Sequence, residues 1–147
     1  MQVDVEVFGD TLVSRKLLRF SDKAGNMEPV WDDVTDDVLA PAFERNFKQE
    51  GPGWAQLRPS TIRSRIAQGY APGPILTRSG RYRKDMTTGL TTHKNPSELV
   101  VVAPTVPGAY HQSGTRKMPA RPLRLTENEK QQVVKTIQRF LIEGWYG

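Results

Sequence analysis

Residues 28–50, EPVWDDVTDDVLAPAFERNFKQE, decide how this chain folds. Trp31, Val34, Val38 and Ala42 recur at helical intervals with Leu39, Phe43 and Phe47 beside them, so a helix here carries one broad apolar stripe. Pro29 suits a first helical turn, whose amides have no partner within the helix. Asp32, Asp33, Asp36 and Asp37 follow early in the run, where the helix dipole favours negative charge. Pro41 lies inside the pattern without an amide donor, which predicts a kink or a restart. Gly51-Pro52-Gly53 ends the run.

Upstream, Val3, Val5 and Val7 alternate with Asp4 and Glu6, the period of a half-buried strand over 2–8. Asp10 then caps a short helix carrying Leu12, Leu17, Leu18 and Phe20, which stops at Ala24-Gly25-Asn26. Downstream, a helix is expected from Pro59 to Gln68, a loop over 71–74, and a short helix from Ser79 to Met86. Leu90–Lys94 and Glu98–Ala103 read as a hairpin turning at Asn95-Pro96, with 99–102 apolar enough to be buried on both faces. Pro104–Gly108 reads as a loop leading to a compact polar segment, and Met118–Leu125 as an extended arm, since each proline restricts its predecessor. Thr126 and Glu129 form a capping box for a last helix with Val133, Val134, Ile137, Phe140 and Leu141 on its apolar face. The expected fold is α+β, a small antiparallel sheet packed against several helices with a C-terminal helix. It forms one domain over 1–147, with an acidic strand–helix part over 1–50, a basic centre over 51–125 and the last helix over 126–143.

The composition narrows the function. A chain of 147 residues buries about 68–70% of its unfolded surface, so a core forms without staples. There is no cysteine, which excludes a disulfide framework, thiolate metal sites and a cysteine nucleophile. No run approaches the roughly 18 apolar residues of a membrane span, and MQVDVEVFGD has acids where an export signal needs bases, so a soluble, non-exported chain is expected with no membrane partner. Charge is divided unevenly: residues 1–50 hold six basic residues against eleven acids, a net of −5, whereas 51–124 hold twelve against two, a net of +10. Such asymmetry suits nucleic-acid contact, mutual attraction between copies, or neutralisation inside one fold.

Chemistry finds little support. His111 is a base of the usual type, but Ser113 lacks the flanking glycines of a nucleophile elbow. The two histidines, His93 and His111, fall in different elements, and Asp85 and Glu98 are the only acids over 51–126. No catalysis, cofactor or metal is therefore expected. Basic residues interleaved with Trp54, Tyr70, Tyr82 and Tyr110 give nucleic-acid binding a stronger basis, though no recognition motif accompanies them.

Four fragments share an order with a known family: Trp54-x-x-Leu57-x-x-x-Thr61-x-x-x-Arg65, Ile75-Leu76-Thr77-x-Ser79-Gly80-x-Tyr82, Tyr110-His111-Gln112-x-Gly114 and Pro119-Ala120-Arg121-Pro122. Over about residues 30–143 the chain resembles the virion morphogenesis, or tail-completion, proteins of tailed bacteriophages. That resemblance implies a non-enzymatic structural protein, made in the host cytoplasm and located in the virion. It would form a homo-oligomeric ring, hexameric as in related proteins, at the tail end or head–tail neck as a completion, terminator or connector protein. Its partners would be copies of itself, neighbouring neck and tail-tube proteins, and passing DNA by non-specific contact. The residues expected at subunit interfaces or the lumen are Asp32, Asp33, Asp36, Asp37, Arg63, Arg65, Arg81, Arg83, Arg116, Arg121 and Arg124. Arg121 in particular is expected to hold carboxylate or backbone oxygens. The alternative from another class is a monomeric basic domain that binds nucleic acid.

Overall fold

A computed structural model describes residues 10–102 and 106–143. Within them run α1 (Asp10–Gly25), α2 (Glu28–Val34), a π-helical turn (Thr35–Leu39), α3 (Ala40–Lys48), α4 (Pro59–Ala67), α5 (Arg81–Asp85), strands β1 (Thr91–Asn95) and β2 (Glu98–Val102), α6 (Val106–Ser113) and α7 (Glu127–Ile142). The fold is α+β, as the element order predicts. The strand expected over 2–8 lies outside the described residues.

α2, the π-turn and α3 continue one another, and the interruption expected at Pro41 takes a specific form. The amide of Ala40 donates to the carbonyl of Thr35, five residues back, so the helix widens just before the proline. A proline ring collides with the carbonyl four residues earlier in a regular helix, and one wide turn relieves that collision without ending the helix. The whole apolar stripe is buried, Trp31, Val34, Val38, Leu39, Ala42, Phe43 and Phe47, and Val30 beside it is buried as well. Trp54, Ile75, Leu76 and Met86 complete the core, with Val133, Ile137 and Phe140 of α7 packed against it.

β1 and β2 pair antiparallel, with Asn95 opposite Glu98 across the Pro96-Ser97 turn. The hairpin tip docks on α2: the Met27 amide donates to Pro96 O at 2.9 Å and Trp31 Nε1 donates to Asn95 O at 2.9 Å. Leu99 and Val101 face the core, but Val100 points outward, so β2 is buried on one face rather than two. The reason is tertiary, since a two-stranded sheet has one layer behind it and its other face meets water.

The loop expected over 104–108 is in part helix, since α6 begins at Val106. Pro107 falls in its first turn, where a missing amide costs no hydrogen bond. α6 ends at Gly114, whose φ is 74° and whose amide donates to Tyr110 O at 2.7 Å. A Cβ there would stand 2.8 Å from Ala120 N, so only glycine lets the arm fold back over the helix end. The arm over 119–125 forms neither helix nor strand, and Asn46, fully buried on α3, clamps it. Asn46 Nδ2 donates to Ala42 O and Arg124 O, both at 2.8 Å, while its Oδ1 accepts from the Arg124 amide at 3.2 Å. α7 then starts on the expected capping box: Thr126 Oγ1 accepts from the Glu129 amide at 3.2 Å, and Glu129 Oε2 accepts from the Thr126 amide at 2.7 Å.

Candidate functional site

The four motif fragments, separate in sequence, meet around one cleft of about 820 Å³. Trp54 is held by its Nε1 donating to Pro122 O at 2.8 Å and packs over Gly51, where a Cβ would collide with its ring. Phe47 meets both Trp54 and Tyr82 edge-on, at centroid distances of 5.9 and 5.7 Å. Tyr82 in turn lies 4.9 Å from the His111 ring. The stack ties the core helix to α5 and α6. Leu57, Thr61, Ser79, Gly80, Tyr82, His111 and Arg121 of the motif fragments line the cleft, whereas Tyr110 and Pro119 are exposed at their own surfaces. Gln112 lies half-buried beside the Tyr82 hydroxyl, whose titration burial pushes upward.

Two arginines sit deep in this cleft. Arg65, expected at an interface or lumen, is 6% exposed, and its Nη1 donates to Pro74 O at 2.8 Å. Arg121 is 6% exposed, and its Nε and Nη2 donate to Ala55 O at 3.0 Å and Gln56 O at 3.3 Å, the backbone engagement its place in the arm suggests. Both lose hydration, which lowers their pKa; Arg78 adds repulsion at Arg65, and Arg65 at Arg121. Among the described residues neither forms an ion pair with a carboxylate. Leu76, buried on the wall, adopts a left-handed φ of 57°, a strained conformation for a branched side chain.

The other expected interface residues divide into paired and free. Arg83 is half-buried and bound to Glu44, which holds that carboxyl below the usual range through its hydrogen bonds. Asp32 accepts from Lys94 Nζ at 2.7 Å. Two of the acids of 1–50 are thus neutralised inside the fold by bases of the central part. Arg81 approaches Asp85 at 3.9 Å, an exposed contact of little energy. Asp33, Asp36, Asp37, Arg63, Arg116 and Arg124 are exposed and form no ion pair among the described residues.

Sequence reasoning missed Ser60, Ser64 and Gln68, which also line the cleft. A signal was present: Thr61, Ser64, Arg65 and Gln68 are spaced i, i+3, i+4 and i+7, one polar face of α4. His111 lies at the back of the cleft with Nδ1 buried and without a hydrogen bond, and burial followed by the charge of Arg121 lowers its pKa. Among the described residues no group of three or more His, Cys, Asp or Glu could hold a metal ion, and no helix is long and apolar enough to cross a membrane. No protein-family model, curated protein or solved structure matches the chain.

Proposed function

We propose that the protein is a non-enzymatic structural component of a tailed-phage virion that assembles with copies of itself as a ring at the tail end or head–tail neck. The observation that carries assembly is α1. Val13, Leu17 and Phe20 fall on one stripe of this helix yet are 47%, 54% and 38% exposed, and Leu18 beside them is 63% exposed. α1 is pinned at its C-terminal end, where Lys23 Nζ donates to Phe140 O at 2.8 Å and Glu143 O at 3.1 Å, leaving the apolar stripe in solvent. A second copy that covers the stripe gains about 25 cal/mol for each Å² of apolar surface removed from water.

A closed ring needs two different complementary patches on each subunit. Asp33 on α2 and Asp36 and Asp37 on the π-turn supply negative charge, and Arg63, Arg116 and Arg124 supply positive charge elsewhere, none of them in an ion pair among the described residues. The place in a virion rests on the resemblance, supported by the convergence of its four fragments in space. The hexameric stoichiometry and the neck and tail-tube partners rest on the same resemblance.

The test combines two measurements. Mass spectrometry of purified virions of the phage that encodes the chain should find it as a stoichiometric component, and negative-stain microscopy should show rings on their tails or necks. Leu17→Asp with Leu18→Asp should abolish ring formation while the circular dichroism of the subunit stays unchanged. Absence of the chain from virions overturns the reading.

A further inference from the structure

The cleft between α4, the loop before α5 and the 118–125 arm concentrates positive charge with little to balance it. Among the described residues Arg65, Arg78, Arg81 and Arg121 line it, and Asp85 supplies the one carboxylate. The two deepest guanidinium groups meet backbone carbonyls, which satisfy protons but do not neutralise charge. Arg65 uses one nitrogen in this way and Arg121 two, so Nε and Nη2 of Arg65 and Nη1 of Arg121 retain donors for a ligand. Arg78 stands at the rim, its guanidinium 5.2 Å over the Tyr70 ring. Hydroxyls of Thr61 and Ser64 share the α4 face with Arg65, and Ser79 of the loop before α5 also lines the cleft.

From this arrangement we propose that the cleft binds a phosphate group, carried either by free phosphate or by the phosphodiester backbone of a nucleic-acid strand, with Arg65 and Arg121 beneath it and Arg78 and Arg81 at the entrance. Free phosphate offers more acceptor oxygens and more charge than a lone carboxylate, and a nucleic-acid strand repeats a singly charged phosphodiester at every nucleotide; either suits several guanidinium forks and hydroxyls lining one cleft. The volume of about 820 Å³ exceeds a bare ion and leaves room for what the phosphate is attached to. The site needs no second copy, so it stands or falls independently of ring assembly.

The test titrates the full chain with inorganic phosphate and, separately, with a short single-stranded DNA oligonucleotide, by calorimetry and by amide NMR shifts at constant ionic strength with chloride as the reference anion. Arg78→Ala with Arg81→Ala touches only exposed side chains and should leave the fold intact while weakening binding about tenfold for each guanidinium removed. Arg65→Lys keeps a charge but loses the fork and should weaken binding as well, whereas Arg63→Ala, outside the cleft, should bind as the parent does. Saturable binding of phosphate that competes with the oligonucleotide supports the site with free phosphate as a sufficient ligand. Oligonucleotide binding alone, with the same sensitivity to the variants, supports it with nucleic acid as the source. Failure of both ligands overturns the proposal, as does binding indifferent to the Arg78 and Arg81 changes. Capture of a peptide spanning residues 28–40 in place of phosphate also overturns it, making the cleft a dock for the acidic helix of another copy. Rings that form while phosphate binding fails leave the assembly reading standing alone.

Discussion

Two pairs of arginines in this molecule are treated in opposite ways. Arg45 and Arg83, each a little over a quarter exposed at the side chain, have carboxylate partners: Arg45 Nε donates to Glu129 at 2.6 Å and Nη2 at 3.0 Å, and Arg83 binds Glu44. Arg65 and Arg121, far more buried, meet only carbonyls among the described residues, and the charge of Arg65 repels that of Arg121. Burial makes a missing counterion costlier, so the reverse distribution would be expected if all four served stability alone. The difference separates a paired region that holds α3 to α5 and α7 from a cleft whose two buried guanidinium groups meet backbone carbonyls alone among the described residues.

The largest effect tests the support shared by both regions. Phe47 is 1% exposed and braces Trp54 and Tyr82, so Phe47→Ala should cost about 3–5 kcal/mol in urea unfolding. Because the same ring stack backs the cleft, the variant should also weaken phosphate binding; full retention of binding would show that the cleft holds its shape without the core.

A pair of double-mutant cycles addresses the contrast directly. Arg45→Ala combined with Glu129→Ala should report a favourable coupling of about 0.5–3 kcal/mol. Arg65→Met combined with Arg121→Met should report a coupling of the opposite sign, about 1 kcal/mol or less, because removing either charge relieves the other. Couplings of the same sign would erase the distinction between the two regions.

A smaller effect comes from pH. Burial, then Arg121, depresses the pKa of His111 below 6.5 in the folded state. Above pH 6.5 folded and unfolded chains both carry a neutral imidazole; as pH falls through that value the unfolded chain takes up the proton first, and stability is lost. His111→Gln should flatten the stability profile just below pH 6.5. The steeper loss below about pH 4.5 should persist, because Glu44 and Glu129 are held ionised chiefly by hydrogen bonds from Arg83 and Arg45 and give up that stability on protonation. Thermal melts across this range measure both limbs, and an unchanged upper limb in the variant would remove His111 from the account.

The sequence by itself determined the elements whose cause is local. The stripe from Trp31 to Phe47, the capping box at Thr126 and Glu129 and the hairpin turning at Asn95-Pro96 all follow from side-chain period, amide supply and backbone restriction. The polar α4 face that lines the cleft was missed, although the spacing from Thr61 to Gln68 carried it. Tertiary structure alone decided what depends on neighbours distant in sequence. Pro41 is absorbed by a π-turn because helices on both sides are fixed by packing, and β2 is half-buried because only one layer lies behind it. Leu17 and Leu18 look like core residues by composition but are exposed, since no described element of the subunit covers them. Most of all, nothing in the spacing of four arginines says which have carboxylate partners. Arg83 finds Glu44 across 39 residues and Arg45 finds Glu129 across 84, while Arg65 and Arg121 converge where no acid is near enough to pair, a matter of three-dimensional proximity that the linear order of charges does not contain.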